Sequence, residues 1–297
     1  MKILSALQEI NVQRSPPENL LPEDKILFCT SYHSSFYVQP ILQLENVAIL
    51  QDTVFDPSKL FFYSSYTHTS SLSKLPIYKR IVHCMLKKWR IIPHGIWIKD
   101  EWSANYFHWM TDCLPRLWIG LKSGDSDCVI LPESFRHLKY VTESLEMLNV
   151  RPSYYQSNEN IWVENLILPP RTASFPNFNE KYTQQTREKL SLKTSSPPTK
   201  KVYVSRKFAN KRTTHNETEV ELLMLKNGFE ILYMEHLSFR EQLRLMSTTK
   251  VLVSLHGAAL TNMLFMPEGQ TVVELRNRGD SKTQCYFNLA AALGQKY

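Results

Sequence analysis

The chain has 297 residues, 43% of them hydrophobic, so it is long enough to bury a large core and to form two domains. Its formal net charge of +7 favours an anionic ligand, a nucleic acid or a membrane surface as a partner. It contains no run of about 18 apolar residues, and its start lacks the charged-then-apolar pattern of a signal peptide, so we expect neither a membrane-spanning nor an exported protein.

The five cysteines are scattered along the chain and form no CxxC motif. This spacing argues against a disulfide framework or a zinc site and favours a reducing compartment. We therefore expect the protein in the cytoplasm, with the inner face of the cell membrane as a further expectation.

Residues 1–190 are predicted to form an N-terminal lobe with an irregular, β-rich start. Up to residue 100, short β-like runs at Lys25–Cys29 and Val47–Leu50 alternate with loops. A more regular pattern follows, with a helix over about 103–120, a strand over 128–131, a helix over about 134–149 and a strand over 161–168.

A polar stripe marks the helix that contains NYFHWMTDCLPRL, residues 105–117. At 100° per residue, Asn105, Asp112 and Arg116 fall within about 40° of one another, with His108 beside them. A solvent-facing stripe is the simpler interpretation, although an exposed face usually carries Lys and Glu. A His and an Asp one turn apart can share a proton, as general-base chemistry requires. Pro115 removes one backbone hydrogen bond and should bend the helix.

Asp125-Ser126-Asp127 has the DxD form, whose two carboxylates can bind a metal ion. Such a motif normally follows an apolar strand, whereas this one precedes the run Cys128–Leu131. A turn before a strand is the simpler explanation, so we expect no metal there.

Residues 191–200, SLKTSSPPTK, are polar and contain prolines, so they are predicted to be a linker. From 201 to 297 strands and helices alternate regularly, which predicts an α/β lobe with a parallel sheet. Within it, Asn227-Gly228 is a helix stop, and Ser238 with Glu241 forms a capping box.

The run Lys200–Arg212 carries six cations and no acid. A solvated basic face would explain such a run. However, Val202–Ser205 reads as a strand, so Arg206 would lie at its carboxyl end, where α/β sheets bind ligands.

The stretch Lys250–Asp280 is predicted to form an anion site near residue 256. A buried strand, Val251–Leu255, stops at His256-Gly257, and the helix-like segment Ala258–Phe265 follows at once. A strand that turns on a glycine into a helix directs free backbone N–H groups at a ligand, which suits a phosphate.

Together, NYFHWMTDCLPRL, VSRKFANKR and SLHGAALTNMLFMPEGQTVVEL resemble glycosyltransferase family 61, over roughly residues 40–297. The resemblance implies a GT-B architecture, with two Rossmann-like lobes facing across a cleft: an acceptor-side lobe at 1–190 and a nucleotide-sugar lobe at 201–297. It implies inverting transfer from a nucleotide sugar without a metal or other cofactor. The first motif resembles the bacterial branch that assembles capsule, exopolysaccharide or lipopolysaccharide.

The resemblance also implies roles for individual residues. Asp112, or failing it His108, would deprotonate the acceptor, with Asn105 and Arg116 on the acceptor side. The donor-binding set would be Arg206 and Arg212 on the diphosphate, the N–H groups of Gly257 and Ala258 on the same anion, Glu274 on the ribose, and His256 and Asn262 beside them. Each has a structural alternative: His256 as a helix cap, Asn262 bonded to the backbone, and Glu274 paired with Arg276 or Arg278.

The expected function is therefore a hexosyl- or pentosyltransferase that uses a nucleotide sugar and a glycan or lipid-linked glycan acceptor, with peripheral membrane contact. The alternative is a catalytically inactive transferase-like module, or a nucleic-acid binder that uses Lys200–Arg212. Nucleic acid is not the expected partner, because the basic cluster lacks interleaved exposed aromatic residues and a recognition motif.

Overall fold

The computed structural model describes residues 1–68, 82, 84–124, 127–192, 197–208, 214–277 and 283–297. The strands of this part are β1 (Lys2–Ile3), β2 (Gln8–Gln13), β3 (His33–Val38), β4 (Leu42–Leu50), β5 (Thr53–Asp56), β6 (Phe61–Phe62), β7 (Lys88–Ile96), β8 (Cys128–Pro132), β9 (Arg151–Tyr155), β10 (Glu159–Leu168), β11 (Lys200–Val204), β12 (Glu230–Leu232), β13 (Thr249–Leu255) and β14 (Thr271–Leu275). The α-helices are α1 (Lys25–Tyr32), α2 (Ser64–Thr67), α3 (Tyr106–His108), α4 (Leu114–Ser123), α5 (Lys139–Met147), α6 (Glu180–Leu190), α7 (Glu217–Lys226), α8 (Phe239–Met246) and α9 (Cys285–Ala292).

The chain divides into two compact units. Unit 1 comprises Met1–Gln8 and Tyr37–Thr172, and unit 2 comprises Glu9–Phe36 and Ala173–Tyr297. The boundary expected at residues 191–200 therefore lies earlier, after Thr172. The reason is that α6 packs in unit 2, where Gln184 and Arg187 donate hydrogen bonds to main-chain carbonyls at the end of α9.

Residues 9–36 also differ from the predicted lobe, because they belong to unit 2 although they lie near the start of the chain. Arg14 links them to the later sequence by donating to Asn177 Oδ1 at 3.0 Å. The β-like run predicted at Lys25–Cys29 is wrong, since these residues begin α1. A short apolar run fits a strand or a helix equally well, and here Pro22 opens a 3₁₀ turn that leads directly into the helix.

Unit 1 is built on a mixed sheet in the order β6-β5-β4-β10-β7-β8-β9, with β1 paired to β4. The run β10-β7-β8-β9 is parallel, whereas β4, β5 and β6 are antiparallel to their neighbours. The central strands bury apolar residues such as Leu44, Val47, Ile161 and Val163 in one core cluster. Sequence analysis predicted loops where β7 lies, because its lysine, arginine and proline obscure the apolar alternation.

The helical segment after β7 carries the predicted polar stripe. It begins as α3, widens into π-helical turns over Trp109–Cys113, and continues as α4. Pro115 has no N–H to donate to the preceding turn, and the wide turns lie directly before it. Gly120 allows α4 to approach β7 closely, because a Cβ at this position would lie 2.5 Å from Ile96.

Unit 2 contains a parallel four-stranded sheet in the order β12-β11-β13-β14. The chain leaves β11 toward one edge and returns to add β13 and β14 on the other side, as in doubly wound folds. Ser238 and Glu241 form the predicted capping box at α8, and Gly228 takes a positive φ of 77° after α7. With unit 1, this confirms the prediction of a mixed α/β protein.

Candidate functional site

In unit 2, the residues predicted to bind the donor meet at the carboxyl ends of β11 and β13. These two strands are neighbours, and the chain reverses its direction of strand addition between them. Parallel sheets bind ligands in the crevice outside this point. Arg206 follows β11, and His256 and Gly257 follow β13, so three predicted residues lie at this edge.

Arg206 lies directly against Gly257. A Cβ on Gly257 would be 2.7 Å from Arg206 Nη1 and 3.2 Å from Arg206 Cζ, so the guanidinium occupies the space that any larger residue would need. Gly257 also caps the 3₁₀ helix Ala258–Phe265, whose first N–H groups have no intrahelical partner. A planar cation and backbone N–H donors therefore lie side by side, an arrangement that suits an anion.

Glu217, which the sequence reasoning missed, fixes the backbone at Arg206. Its carboxylate accepts hydrogen bonds from the Arg206 N–H at 3.0 Å, from the Tyr203 hydroxyl at 2.8 Å and from the Thr214 hydroxyl at 2.5 Å. Burial opposes ionisation of Glu217, but these hydrogen bonds outweigh it and lower its pKa. The only sequence signal for this role of Glu217 was its place as the first residue of a helix, where an acidic side chain is favoured.

A second missed acid, Glu221, supports the same loop. The Ser205 hydroxyl lies 2.7 Å from Glu221 and 2.8 Å from Glu217, and its single proton serves one of them at a time. Tyr233 donates to Glu221 at 3.0 Å, and Lys207 lies 3.6 Å from it. The inner face of α7 therefore carries carboxylates that hold the loop containing Arg206.

His256, Glu274 and Tyr297 form a partly buried chain of hydrogen bonds in unit 2. His256 Nδ1 bonds one oxygen of Glu274, and the Tyr297 hydroxyl donates to the other. The Glu274 side chain is only 1% exposed, so a ribose contact of the predicted kind would require it to release one of these partners. Burial and the adjacent Glu274 raise the pKa of Tyr297, which keeps the phenol protonated and able to donate.

The remaining donor-side predictions are placed as follows. Asn262 is fully buried and donates to the Ala259 carbonyl at 3.1 Å, in agreement with its structural alternative. Arg276 donates to Gln284 Oε1 at 2.5 Å and to the Thr283 carbonyl at 3.0 Å. Arg212 and Arg278 lie outside the described residues.

In unit 1, His108 and Asp112 form the close pair that the helical stripe predicts. His108 Nδ1 lies 2.6 Å from Asp112 Oδ2, and the two side chains are 21% and 26% exposed. Because an ionised carboxylate only accepts, Nδ1 carries the proton of this bond. Asn105 stands just before α3, where its side chain accepts from the Phe107 N–H at 2.9 Å and caps the helix.

Arg116 is fully buried, so a contact with an acceptor would require it to leave its present bonds. It donates to the carbonyls of Tyr66 at 2.8 Å and Pro169 at 3.0 Å. The geometry therefore gives Arg116 a positioning role, because it ties the helix to the loop after β10. A helical wheel predicts which residues share a face but not whether a neighbouring loop covers that face.

Asp100, a third missed acid, holds the loop before α3. It accepts from the Trp102 N–H at 2.8 Å and from the Ser103 hydroxyl at 3.0 Å, and its second oxygen lies 2.9 Å from Arg171. Burial opposes its ionisation, but Arg171, Arg116 and these hydrogen bonds together lower its pKa. Burial also lowers the pKa of the adjacent Lys99.

No metal site is found among the described residues, in which no group of three or more His, Cys, Asp or Glu side chains could hold an ion. Asp127 of the DxD motif is bound by Arg151 through two hydrogen bonds, at 2.7 Å and 3.0 Å. Asp125 lies outside the described residues. No disulfide joins any of the five cysteines, all of which lie in the described ranges, and no helix of those ranges is long and apolar enough to cross a membrane.

Comparison with known proteins identifies the family of the chain. The family model Glycosyltransferase 61 matches residues 106–273, which include His108, Asp112, Arg206 and His256. Among curated proteins, the chain is similar to the EGF domain-specific O-linked N-acetylglucosamine transferases of Bos taurus (31% identical over 39% of this chain), Mus musculus (29% over 39%) and Drosophila melanogaster (30% over 34%).

The similarity covers only a small part of the length of each relative. The aligned segments span 23%, 23% and 20% of the cattle, mouse and fly proteins. The family model, in contrast, covers more than half of this chain. The predicted resemblance is confirmed at this level: the chain belongs to glycosyltransferase family 61, a family of transferase enzymes.

Proposed function

We propose that this protein transfers a sugar from a nucleoside-diphosphate sugar to an acceptor hydroxyl, with inversion and without a metal. The contact between Arg206 and Gly257 at the carboxyl ends of β11 and β13 carries this proposal. There a guanidinium and the N-terminus of Ala258–Phe265 provide positive charge to a diphosphate. Family membership supports a sugar nucleotide as the molecule that brings it.

Two groups of residues act in this reaction: one stabilises the leaving diphosphate, and the other takes the proton of the acceptor hydroxyl. The acceptor oxygen attacks the anomeric carbon, the bond from that carbon to the diphosphate oxygen breaks, and the diphosphate leaves with the bonding electrons. Arg206 and the N–H groups of Gly257 and Ala258 stabilise the leaving charge in place of a metal. The hydroxyl proton passes to the His108–Asp112 pair.

Within this pair Asp112 is the first candidate for the base and His108 the second. The carboxylate orients the imidazole through Nδ1, so the proton can be taken either by Asp112 or by His108 Nε2 with Asp112 stabilising the imidazolium. For an inverting transfer, base and leaving group act on opposite faces of the sugar. A GT-B arrangement, with the acceptor on unit 1 and the donor on unit 2, would meet this requirement.

We propose the donor and the acceptor as classes of molecule, with a first candidate for each to test. N-acetylglucosamine is the first sugar to test, because the relatives' names contain it. A glycan acceptor in the synthesis of a cell-surface polysaccharide follows from the motif resemblance, with the cytoplasm as the expected location. The relatives' names instead favour a hydroxyl on an EGF domain, which makes a protein acceptor the second candidate.

Isothermal titration with UDP and with other nucleoside diphosphates tests the proposal. We expect binding that Arg206→Ala weakens by about ten- to a hundredfold, equivalent to about 1.5–3 kcal/mol for a charge-assisted hydrogen bond. Arg244→Ala removes an exposed cation of the same unit and should change nothing. Product analysis with UDP-N-acetylglucosamine, using lipid-linked glycans and folded EGF domains in separate assays, then decides the acceptor.

Three results would contradict the proposal. Unchanged nucleotide affinity in Arg206→Ala would remove Arg206 from the site. Binding of single-stranded nucleic acid without binding of any nucleoside diphosphate would favour the nucleic-acid module. Nucleotide binding without turnover on any acceptor, together with native behaviour of Asp112→Asn, would favour an inactive transferase-like module.

A further inference from the structure

The segment between Asp56 and Asp100 is unusual in charge and in exposed apolar residues. It contains eight Lys and Arg residues and no Asp or Glu. Its described part also exposes large apolar side chains, which are Leu60, Phe61, Val82, Met85, Leu86, Trp89 and Ile91. Single exposed apolar residues are common on any protein, but a concentration of them beside unbalanced positive charge is not.

Several of these residues form one continuous surface. Cys84 is buried in a small core cluster against which Trp162 packs, so the turn that follows Cys84 lies on the same face of the sheet as Trp162. The Trp89 ring lies 6.3 Å from the Trp162 ring and continues the surface along β7. We call Met85, Leu86, Trp89 and Ile91, with Lys87 and Lys88, the basic apolar ridge.

The tip of the ridge is held in a defined turn. Cys84 is buried, and its carbonyl accepts from the Lys87 N–H at 3.2 Å and from the Asn160 side chain at 2.7 Å. The Lys88 N–H donates to the Asn158 carbonyl at 3.0 Å. This turn presents Met85 and Leu86 outward, and Leu86 is 97% exposed. A turn fixed in this way presents its apolar side chains at little further cost in conformational entropy.

The charges of the ridge are unbalanced in the described part of the chain. Neither Lys87 nor Lys88 has an ion-pair partner among the described residues. The acid opposite Lys88 in the β-ladder is Glu159, and its carboxylate accepts from the Gln156 N–H at 2.7 Å. The ridge thus combines a protruding apolar tip, an indole and paired lysines.

We propose that the basic apolar ridge docks unit 1 on an anionic lipid surface. Met85, Leu86 and Trp89 would enter the boundary between headgroups and acyl chains, and Lys87 and Lys88 would contact the acidic headgroups. Charge complementarity favours an anionic bilayer over a second copy of this chain, since two such ridges would repel each other. A protein partner of purely apolar character would leave the lysines without a counter-charge.

The ridge lies at the opposite end of the unit 1 sheet from the His108–Asp112 pair. β7 and β10 both start at the ridge, near Lys88 and Glu159, and they end at the edge from which the chain leads to α3. Lys88–Ile96 is nine residues long, so these two ends are roughly 26 Å apart along the strand. Substitutions in the ridge should therefore leave the His108–Asp112 pair unperturbed.

Vesicle co-sedimentation tests this proposal independently of any transferase activity. We expect the protein to sediment with vesicles made of equal parts phosphatidylcholine and phosphatidylglycerol, but not with phosphatidylcholine alone, and added salt should release it. Lys87→Ala with Lys88→Ala should weaken binding about 25-fold, because each lysine near an anionic surface contributes about fivefold. Leu86→Ser with Trp89→Ser should weaken it at least about tenfold.

The matched control is Leu222→Ser with Leu223→Ser, which removes two exposed leucines from α7 in unit 2. This control should bind like the native protein, and thermal unfolding should confirm that every variant is folded. The proposal is overturned if the native protein binds neither vesicle, binds both equally, or is unaffected by the ridge substitutions. It is also overturned if the native chain is a dimer that Leu86→Ser dissociates, or if RNA displaces the vesicles and binds the apolar variants unchanged.

Discussion

Each unit contains a histidine bonded through Nδ1 to a carboxylate, yet the two pairs are built differently. His108 and Asp112 lie four residues apart on one helical segment, and both are partly exposed. His256 and Glu274 are eighteen residues apart on neighbouring strand ends, and the carboxylate is buried beneath the Tyr297 hydroxyl. The partly exposed pair can exchange a proton with a ligand, whereas the buried pair is suited to hold an imidazole in one orientation.

The largest effect on turnover is expected for the His108–Asp112 pair, to which the comparison assigns proton transfer. Asp112→Asn should lower kcat by about a hundredfold or more, because the carboxylate can neither take the proton nor stabilise an imidazolium. Nucleoside-diphosphate affinity, measured by titration, should be unchanged. Glu133→Gln, which removes an exposed carboxylate paired with Arg136 in the same unit, is the control and should keep full turnover.

Comparison with His108→Ala then assigns the roles within the pair. If the two residues act together, the double variant should be no slower than the slower single variant. Full turnover in Asp112→Asn with complete loss in His108→Ala would make His108 the base. Full turnover in both would make the pair structural and would place the base elsewhere.

The two pairs also differ in how far the sequence could predict them. His108 and Asp112 follow from the helical period alone, because four residues on one helix fix their proximity. The contact between His256 and Glu274 needs the register of β13 against β14, which pairs Leu255 with Leu275 and which no local pattern reveals. The alternation of strands and helices from residue 201 onward was predicted for a related reason, since each element there has its own period and its own stop signal.

What the sequence did not reveal depends on long-range burial. Glu217, Glu221 and Asp100 look like surface acids, and only the folded chain shows that they hold the loops at Arg206 and before α3. Arg116 shares the predicted stripe but is covered by the segments that contain Tyr66 and Pro169. Strand order and loop packing decide these roles, and neither is encoded in a window of adjacent residues.

Gly257→Ala tests the proposed diphosphate site of unit 2. The new methyl group would lie 2.7 Å from Arg206 Nη1 and must displace the guanidinium, so nucleoside-diphosphate binding should weaken about tenfold. Titration calorimetry is the measurement, and Gly120→Ala is not a suitable control because it disturbs the core at Ile96. Gly228→Ala is the better one, because it strains only a turn of positive φ and its methyl group would have no neighbour within 4 Å, so nucleotide binding should be unchanged. Unchanged binding in Gly257→Ala would show that Arg206 does not need its present position.

Tyr297→Phe tests whether the buried pair has a positioning role. The phenol would no longer donate to Glu274, which should lower the free energy of unfolding by about 1–3 kcal/mol and weaken donor binding only severalfold. Tyr155→Phe is the matched control, because it removes a hydroxyl bonded to the Gln51 carbonyl in unit 1. It should cost similar stability but leave donor affinity unchanged. Equal donor affinity in both variants would limit Tyr297 to a structural role.

Low pH should destabilise the loop that contains Arg206, because protonation of Glu217 weakens the hydrogen bonds that hold it. Because the folded-state pKa of Glu217 is lowered, its contribution to stability is complete above its ordinary value of about 4.3 and disappears as the pH falls through the folded value. Glu217→Gln should therefore reduce the dependence of the unfolding midpoint on pH below about pH 5. Glu230→Gln, which alters an exposed pair with Lys200, should keep the native dependence. The same dependence in Glu217→Gln as in the native protein would contradict this assignment.

The smallest expected effect is that of metal removal, which should be none. In both histidine–carboxylate pairs Nδ1 is bonded to the carboxylate, and Asp127 of the DxD motif is bound by Arg151. Arg206 and the N-terminus of Ala258–Phe265 can stabilise a leaving diphosphate electrostatically, as a metal does in other enzymes. Turnover should therefore survive exhaustive dialysis against EDTA, with a magnesium-supplemented sample as the reference. Loss of activity that manganese restores would contradict this prediction, and Asp125→Asn and Asp127→Asn would then show whether the DxD motif is the ligand.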